Sequence, residues 1–181
     1  MADTLIIGDG PGGLSAALFL ARGEQEVVVI GQDKTAMHFA QLNNYLGISS
    51  VHGSEFQRAA REQVQAAGAT LRDDRVTDLK ATDDGFLATT ESGAQVAARY
   101  LVLSEGKGPR LAAALGLTAN EDGAISVDAN SLSAIPNVYV VGRSTRPGRS
   151  QAIISAGDGA AAAIDILSRA AGQAVCDWDS P

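Results

Sequence analysis

The sequence predicts an α/β fold with a central parallel sheet and a small antiparallel β-meander. Three observations predict it. Thr4-Leu5-Ile6-Ile7 and Val27-Val28-Val29-Ile30 are short, continuous apolar runs, the pattern of strands buried on both faces in a parallel sheet. Between them Leu14, Ala17, Leu18 and Ala21 recur at helical spacing and stop near Gly23, so strand, helix and strand form a βαβ unit. Residues 69–99 then alternate strand-like runs with the turns Asp83-Asp84-Gly85 and Ser92-Gly93, which predicts the meander.

The remaining elements follow in chain order. Residues 31–52 lack periodicity and contain Asn43-Asn44 and Gly47, which predicts a long loop over a site. Ser54-Glu55-Phe56-Gln57 matches a capping box, with Ser54 as the cap and Gln57 reaching back, ahead of a helix that stops at Gly68. Tyr100–Leu103 is a further buried strand, a short helix covers Leu111–Leu115, and Ile125-Ser126-Val127 suits a minor strand. Val138–Val141 is the last core strand, and Ile153–Ala171 is an Ala-rich helix suited to close packing. One domain over residues 1–171 accounts for all of these, with residues 172–181 as a flexible tail.

Composition removes several function classes. Of 181 residues, 45% are hydrophobic and only 4% aromatic, so the core is built from aliphatic side chains. The net charge of −7 argues against a nonspecific nucleic-acid binder, which needs clustered cations on phosphates. Cys176 is the one cysteine, so neither an internal disulfide nor a Cys-x-x-Cys centre can form within this sequence. No apolar run is long enough for a membrane helix, and no basic region precedes an apolar one at the start. A cytoplasmic protein without membrane attachment is therefore expected. No spacing of His, Cys, Asp or Glu points to a metal.

Gly8-Asp9-Gly10-Pro11-Gly12-Gly13 fits G-x-G-x-x-G after a strand and at the opening of a helix, the context that gives the motif its meaning. Gly8 permits the turn, Gly10 admits a pyrophosphate close to the backbone, and Gly13 lets helix and strand approach. The helix N-terminus, with Pro11 at its start, then faces the phosphates. Asp33 lies about 20 residues beyond Gly13, the usual separation for an acid that binds a ribose. The usual place for that acid, directly after the second strand, holds Gly31.

These and later segments together resemble the FAD half of thioredoxin reductases. Gly8–Gly13 resembles that family's first FAD motif. Asn43-Asn44-Tyr45-Leu46-Gly47 is similar to its Glu-Asn-aromatic-Pro-Gly stretch, whose Asn lies near the flavin. Leu101–Gly106 resembles the strand that ends in Ala-Thr-Gly, and Val138–Gly142 the second FAD motif. Gln151-Ala152, followed by Ser155-Ala156-Gly157, is similar to the Gln-Ala step that faces the isoalloxazine ring. The resemblance implies a Rossmann-like FAD/NAD(P)-binding fold. It implies FAD as cofactor, held by Gly8, Gly10, Pro11, Gly12, Gly13, Asp33, Asn44, Gly106, Gly142, Arg143, Gln151 and Ala152. Catalytic residues are left unassigned.

The departures are specific. In the resembled enzymes an NADPH domain carrying the Cys-x-x-Cys separates the Ala-Thr-Gly strand from the second FAD motif; here only residues 107–137 stand between them. Arg143 replaces the Asp that follows the second motif's Gly, Asp9 puts a carboxylate beside expected phosphates, and Thr35-Ala36-Met37-His38 replaces a Gly-Gly turn. Asp9 and Arg143 are expected to pair across the sheet edge in the absence of ligand, each compensating the other's desolvation. Arg143, Arg146 and Arg149 form a candidate phosphate grip or a solvated loop. His38 and Glu105 are candidates for acid–base or ligand roles, against the plainer reading of surface groups; His52 has only that plainer reading.

Two functions remain in competition. One is an FAD-dependent redox module, fed by an external small-molecule reductant or a partner protein and unable to reduce thioredoxin by the family's mechanism. The other is a non-catalytic sensor or binder of an adenine dinucleotide or another phosphorylated ligand. A homodimer is expected in either case, because the resembled enzymes dimerise through this domain.

Overall fold

A computed structural model describes residues 1–176. The tail expected at 172–181 therefore lies outside the described residues from residue 177 onward. Within it, Val175 packs against the helical core, and its N–H donates to Ser168 Oγ at 2.9 Å. β1 (Ala2–Ile7), α1 (Pro11–Arg22) and β2 (Val27–Gly31) form the predicted βαβ unit, with Thr4 opposite Val27 and Ile7 opposite Ile30 in parallel register.

The segment read as one long loop holds more structure. A 3-10 turn at Ala36–Phe39 leads into β3 (Gln41–Leu42), which pairs antiparallel with β4 (Val51–His52). α2 (Gly53–Ala66) follows, and its cap corrects the expected capping box. His52, rather than Ser54, is the N-cap, with its side chain accepting from the Ser54 N–H. The buried Gln57 turns inward and donates from Nε2 to the Asp9 carbonyl at 2.5 Å.

β5 (Thr70–Asp73) joins the core sheet parallel to β2, so it is no part of the meander. The antiparallel piece is β6 (Val76–Thr82), β7 (Gly85–Thr90) and the first half of β8 (Gln95–Leu103). β8 is one strand spanning both predicted runs. Its Gln95–Ala98 half pairs with β7, while Leu101–Leu103 pairs parallel with β9 (Val138–Val140). The sheet runs β5-β2-β1-β8-β7-β6, with β9 on β8. The minor strand expected at Ile125–Val127 is a single bridge between Ala119 and Ile125. α3 (Arg110–Ala114) and α4 (Ala152–Ala171) complete the order.

Strand alternation sends successive side chains to two cores. Leu5, Ile7, Val28, Ile30, Leu101 and Leu103 face one side, where the meander's Leu79 and Phe86 and the α3 residue Leu111 cover them. Ile6, Val27, Val29, Val102 and Tyr139 face the other, under Leu14 and Leu20 of α1, Val64 of α2 and Ile166 of α4. α1 and α4 touch at glycine. A Cβ on Gly159 would lie 2.0 Å from the Gly12 carbonyl oxygen, so no larger residue fits there. That contact holds the start of α4 against the start of α1, at the C-terminal edge of the sheet where ligands bind in such folds.

Candidate functional site

The glycine loop is fixed by sterics. Gly8 has φ +101°, and a Cβ on it would lie 2.1 Å from the Ser104 carbonyl oxygen. A Cβ on Gly13 would lie 1.9 Å from the Gly8 carbonyl oxygen. Gly10 differs: a Cβ there would meet only Thr35 Oγ1, at 3.6 Å, so its backbone faces open space. No side chain caps α1. The first-turn N–H groups of Gly12 and Gly13 therefore lack helical acceptors and sit at the positive end of the helix dipole.

In front of this helix end lies a cavity of about 780 Å³, within the usual range for small-molecule and cofactor sites. Gly8, Gly10, Pro11, Gly12, Asn44, Gly106, Gly142, Arg143, Gln151 and Ala152 all line it. Gly13 lies behind the wall, against Gly8. Asp33 is not among the lining residues; its carboxylate Oδ1 accepts from His38 Nε2 at 3.0 Å, and its carbonyl accepts from the same nitrogen at 2.8 Å. His38 is thereby held at Asp33 and does not line the cavity either. Asn44 and Gln151, far apart in sequence, meet: Asn44 Nδ2 donates to Gln151 Oε1 at 2.9 Å. This bond ties the loop after β3 to the start of α4 on the cavity wall.

The expected Asp9–Arg143 pair does not form. Asp9 is buried, and its carboxylate pairs with Arg61 of α2 and accepts from the Asp33 N–H at 3.0 Å. Arg61 also pairs with Asp73. Burial lowers the Arg61 pKa, but the bond to Asp73 and the charges of Asp9, Asp73 and Asp33 outweigh it and raise the pKa above the usual arginine value. The partner of Asp9 comes from α2, whose Gln57 and Arg61 both reach the glycine loop. Arg143 is half-buried on the cavity wall and has no side-chain partner among the described residues.

The arginine loop divides its labour. Arg146 pairs with Asp158 of α4, and Asp158 Oδ2 also accepts from the Gly142 N–H at 3.2 Å. Gly142, at φ +73°, thus gets its carboxylate from α4. Arg149 is exposed. Glu105 turns out to be a helix cap, accepting from the Leu111 N–H at 2.7 Å and the Ala112 N–H at 2.9 Å. Burial pushes its carboxyl pKa up, against the pull of those donors. Sequence reasoning missed Arg61 and Asp158, and it placed Gln57 in a capping box where the structure turns it onto the Asp9 carbonyl. Asp158 carried a signal, since an acid between Gly157 and Gly159 interrupts an otherwise apolar Ala-rich run.

A glycine turn between a parallel strand and an uncapped helix, opening on a lined cavity, is the architecture of a Rossmann-like α/β fold. Residues 42–160 match the pyridine nucleotide-disulphide oxidoreductase family, and the chain belongs to it. It is 30% identical over 108 residues to the thioredoxin reductase of Mycoplasmopsis pulmonis (58% of this chain, 35% of that protein). The chain spans about a third of the length of the curated relatives it matches. Among solved structures, a thioredoxin reductase from Gloeobacter violaceus superposes with TM-score 0.86 at 17% identity, covering 96% of this chain and 97% of that one. The atypical thioredoxin reductase TRi of Desulfovibrio vulgaris Hildenborough superposes with TM-score 0.82 at 20% identity, covering 93% and 99%. The fold is thus the Rossmann-like one of these thioredoxin reductases. No helix among the described residues is long and apolar enough to cross a membrane.

Proposed function

We propose that this chain is an FAD-binding redox module that takes electrons from an external reductant or a partner protein and does not itself reduce thioredoxin. The observation that carries the reading is convergence. Residues from the β1–α1 turn, the loop after β3, the end of β8, the turn after β9 and the start of α4 line one cavity, and the Asn44–Gln151 bond joins two of these segments. The residues fit FAD: Gly10 exposes backbone that a Cβ would obstruct, and α1 offers free N–H donors to a pyrophosphate. Arg143 adds an uncommitted guanidinium for the same oxygens. FAD, when bound, supplies the redox chemistry; the chain's residues bind and orient it. The one cysteine, Cys176, leaves no dithiol within this sequence to pass electrons on.

The test is the absorbance spectrum of the purified protein before and after added FAD. A flavin band near one equivalent supports the reading. A colourless protein that takes up no FAD, or one that binds NADPH tightly and FAD not at all, overturns it and favours the non-catalytic binder. Arg143→Ala should weaken FAD binding by about tenfold or more, the value of a hydrogen bond to a charged group, without loss of stability. A cytoplasmic homodimer is part of the same proposal, and light scattering at tens of micromolar tests the dimer.

A further inference from the structure

β2 ends at Gly31, the position from which a dinucleotide fold extends an acid towards the adenosine ribose. Gly31 has no side chain, and its space is filled from elsewhere. A Cβ on Gly31 would lie 2.3 Å from Asp9 Cγ and 2.6 Å from both Asp9 Cβ and Oδ1. The Asp9 carboxylate therefore occupies the volume in which an acid at residue 31 would begin. Its two oxygens are used differently. Oδ2 is taken by Arg61 and the Asp33 N–H. Oδ1 has no partner among the described residues, on a side chain only 7% exposed, in the wall of the cavity. Gln57 Nε2 holds the Asp9 carbonyl from behind.

We propose that Asp9 is the ribose ligand of this site: Oδ1 accepts a hydrogen bond from the adenosine 2′-hydroxyl, and the site takes adenine dinucleotides that carry no 2′-phosphate. This rests on the reading of the cavity as a dinucleotide site. The pyrophosphate belongs on the Gly10–Gly13 helix end, which puts the adenosine ribose on the β2 side, where Asp9 stands. Asp9 is then not a carboxylate aimed at phosphates; it is the ribose acid moved from the end of β2 into the glycine loop. Charge sets the selectivity. Arg61 is shared between Asp9 and Asp73, and it also feels Asp33, so one guanidinium faces three carboxylates. It has no free face for a 2′-phosphate, which would bring nearly two further negative charges.

Two matched ligand pairs test this by calorimetric titration of nucleotide-free protein: ADP against 2′-deoxy-ADP, and AMP against adenosine 2′,5′-bisphosphate. The expected result is a preference of about tenfold or more for ADP over its deoxy analogue, and for AMP over the bisphosphate. Both ratios should fall towards one in Asp9→Asn, with its fold checked by circular dichroism. If that variant does not fold, Asp9→Ser with Gly31→Asp returns the acid to the strand end and should keep the preference. The wild-type ratios need no variant. Equal binding of ADP and 2′-deoxy-ADP by the wild type, or an unchanged ratio in folded Asp9→Asn, overturns the role of Asp9 and leaves the dinucleotide reading standing. Absence of binding by every adenine nucleotide and by FAD overturns both.

Discussion

The two glycine turns at the edge of the sheet carry opposite charges and treat them in opposite ways. After β1, Asp9 is buried, paired to Arg61 and hydrogen-bonded by the Asp33 N–H. After β9, Arg146 takes Asp158, while Arg143 stands half-buried without a side-chain partner among the described residues. In the first turn the glycine contacts are closed and Asp9 is ion-paired through Oδ2, with Oδ1 left open on the cavity wall. The second holds a guanidinium with no counter-ion among the described residues, on the cavity wall and open to an incoming anion. A charge beside a binding site thus says little until its partner is known: Asp9 is architecture first, and Arg143 is not.

The steric side of that contrast gives the largest expected effect. A Cβ on Gly13 would meet the Gly8 carbonyl oxygen at 1.9 Å and its carbon at 3.1 Å, both backbone atoms that cannot rotate away. Gly13→Ala should cost about 3 kcal/mol or more, at the upper end for overpacking. Gly148, in the second turn, has nothing within 4 Å of a Cβ. Gly148→Ala should change stability by less than about 0.5 kcal/mol. Urea unfolding midpoints at constant slope separate the two, and equal losses would break the contrast between a rigid and an adaptable turn.

The electrostatic side comes next. Arg61→Leu leaves Asp9, 7% exposed, without its counter-ion. Breaking a buried pair from one side costs several kcal/mol; the 16% exposure of Arg61 puts this case at roughly 2–3 kcal/mol. Arg146→Leu is the matched change in the second turn. Arg146 is 43% exposed, and Asp158 keeps the Gly142 N–H, so the loss should stay below about 1 kcal/mol. Thermal denaturation of the two variants side by side checks the ordering, and a larger loss for Arg146→Leu would reverse the assignment of which turn is closed.

What the sequence made legible follows the same division. Glycine constraints are local, so Gly8 to Gly13 could be read with their roles. The buried strands were legible because they are continuous apolar runs. β8 was read as two pieces for a physical reason: its outer half alternates, buried and exposed, beside the meander, while Tyr100–Leu103 is buried on both faces. One strand passes from a half-covered sheet to a fully covered one. The cap of α2 was misplaced because Ser54 and His52 both present acceptors within one turn, and only the backbone decides between them. Charge pairing was least legible. Asp9 and Arg61 are joined by the crossing of α2 over the loop, and Arg61 in the sequence looks like one more charge on a polar helix face. Asn44 and Gln151 were legible as a site only through resemblance; their mutual bond emerges from the fold.

The smallest expected effect concerns a carboxylate on the cavity wall whose partners are near at hand. Asp74 Oδ2 accepts from Ser92 Oγ at 2.6 Å, and Oδ1 accepts from the Arg75 N–H at 2.7 Å. These donors, the Ser92 hydroxyl first, then Thr90 and the Arg75 N–H, lower its pKa from 3.8 to about 2. The native acid therefore holds its proton less tightly than the unfolded chain does. Between those two values the unfolded state binds more protons, so stability rises with pH there. The contribution is present above the unfolded value of 3.8 and is lost as pH falls through about 2. Asp74→Asn removes the titrating group, and Ser92→Ala removes its strongest donor. Both variants should lose stability less steeply than the parent on acidification across that window, and the three curves should converge near the acid end. Urea midpoints measured at several pH values supply the comparison. Unlike Asp9, Asp74 draws its donors from the β7–β8 turn and from its own neighbour and not from a crossing helix, so its variants should leave the Asp9–Arg61 pair untouched. Superimposable acid limbs in parent and variants would mean that these hydrogen bonds survive equally in the unfolded chain, and that local partnering stabilises nothing here.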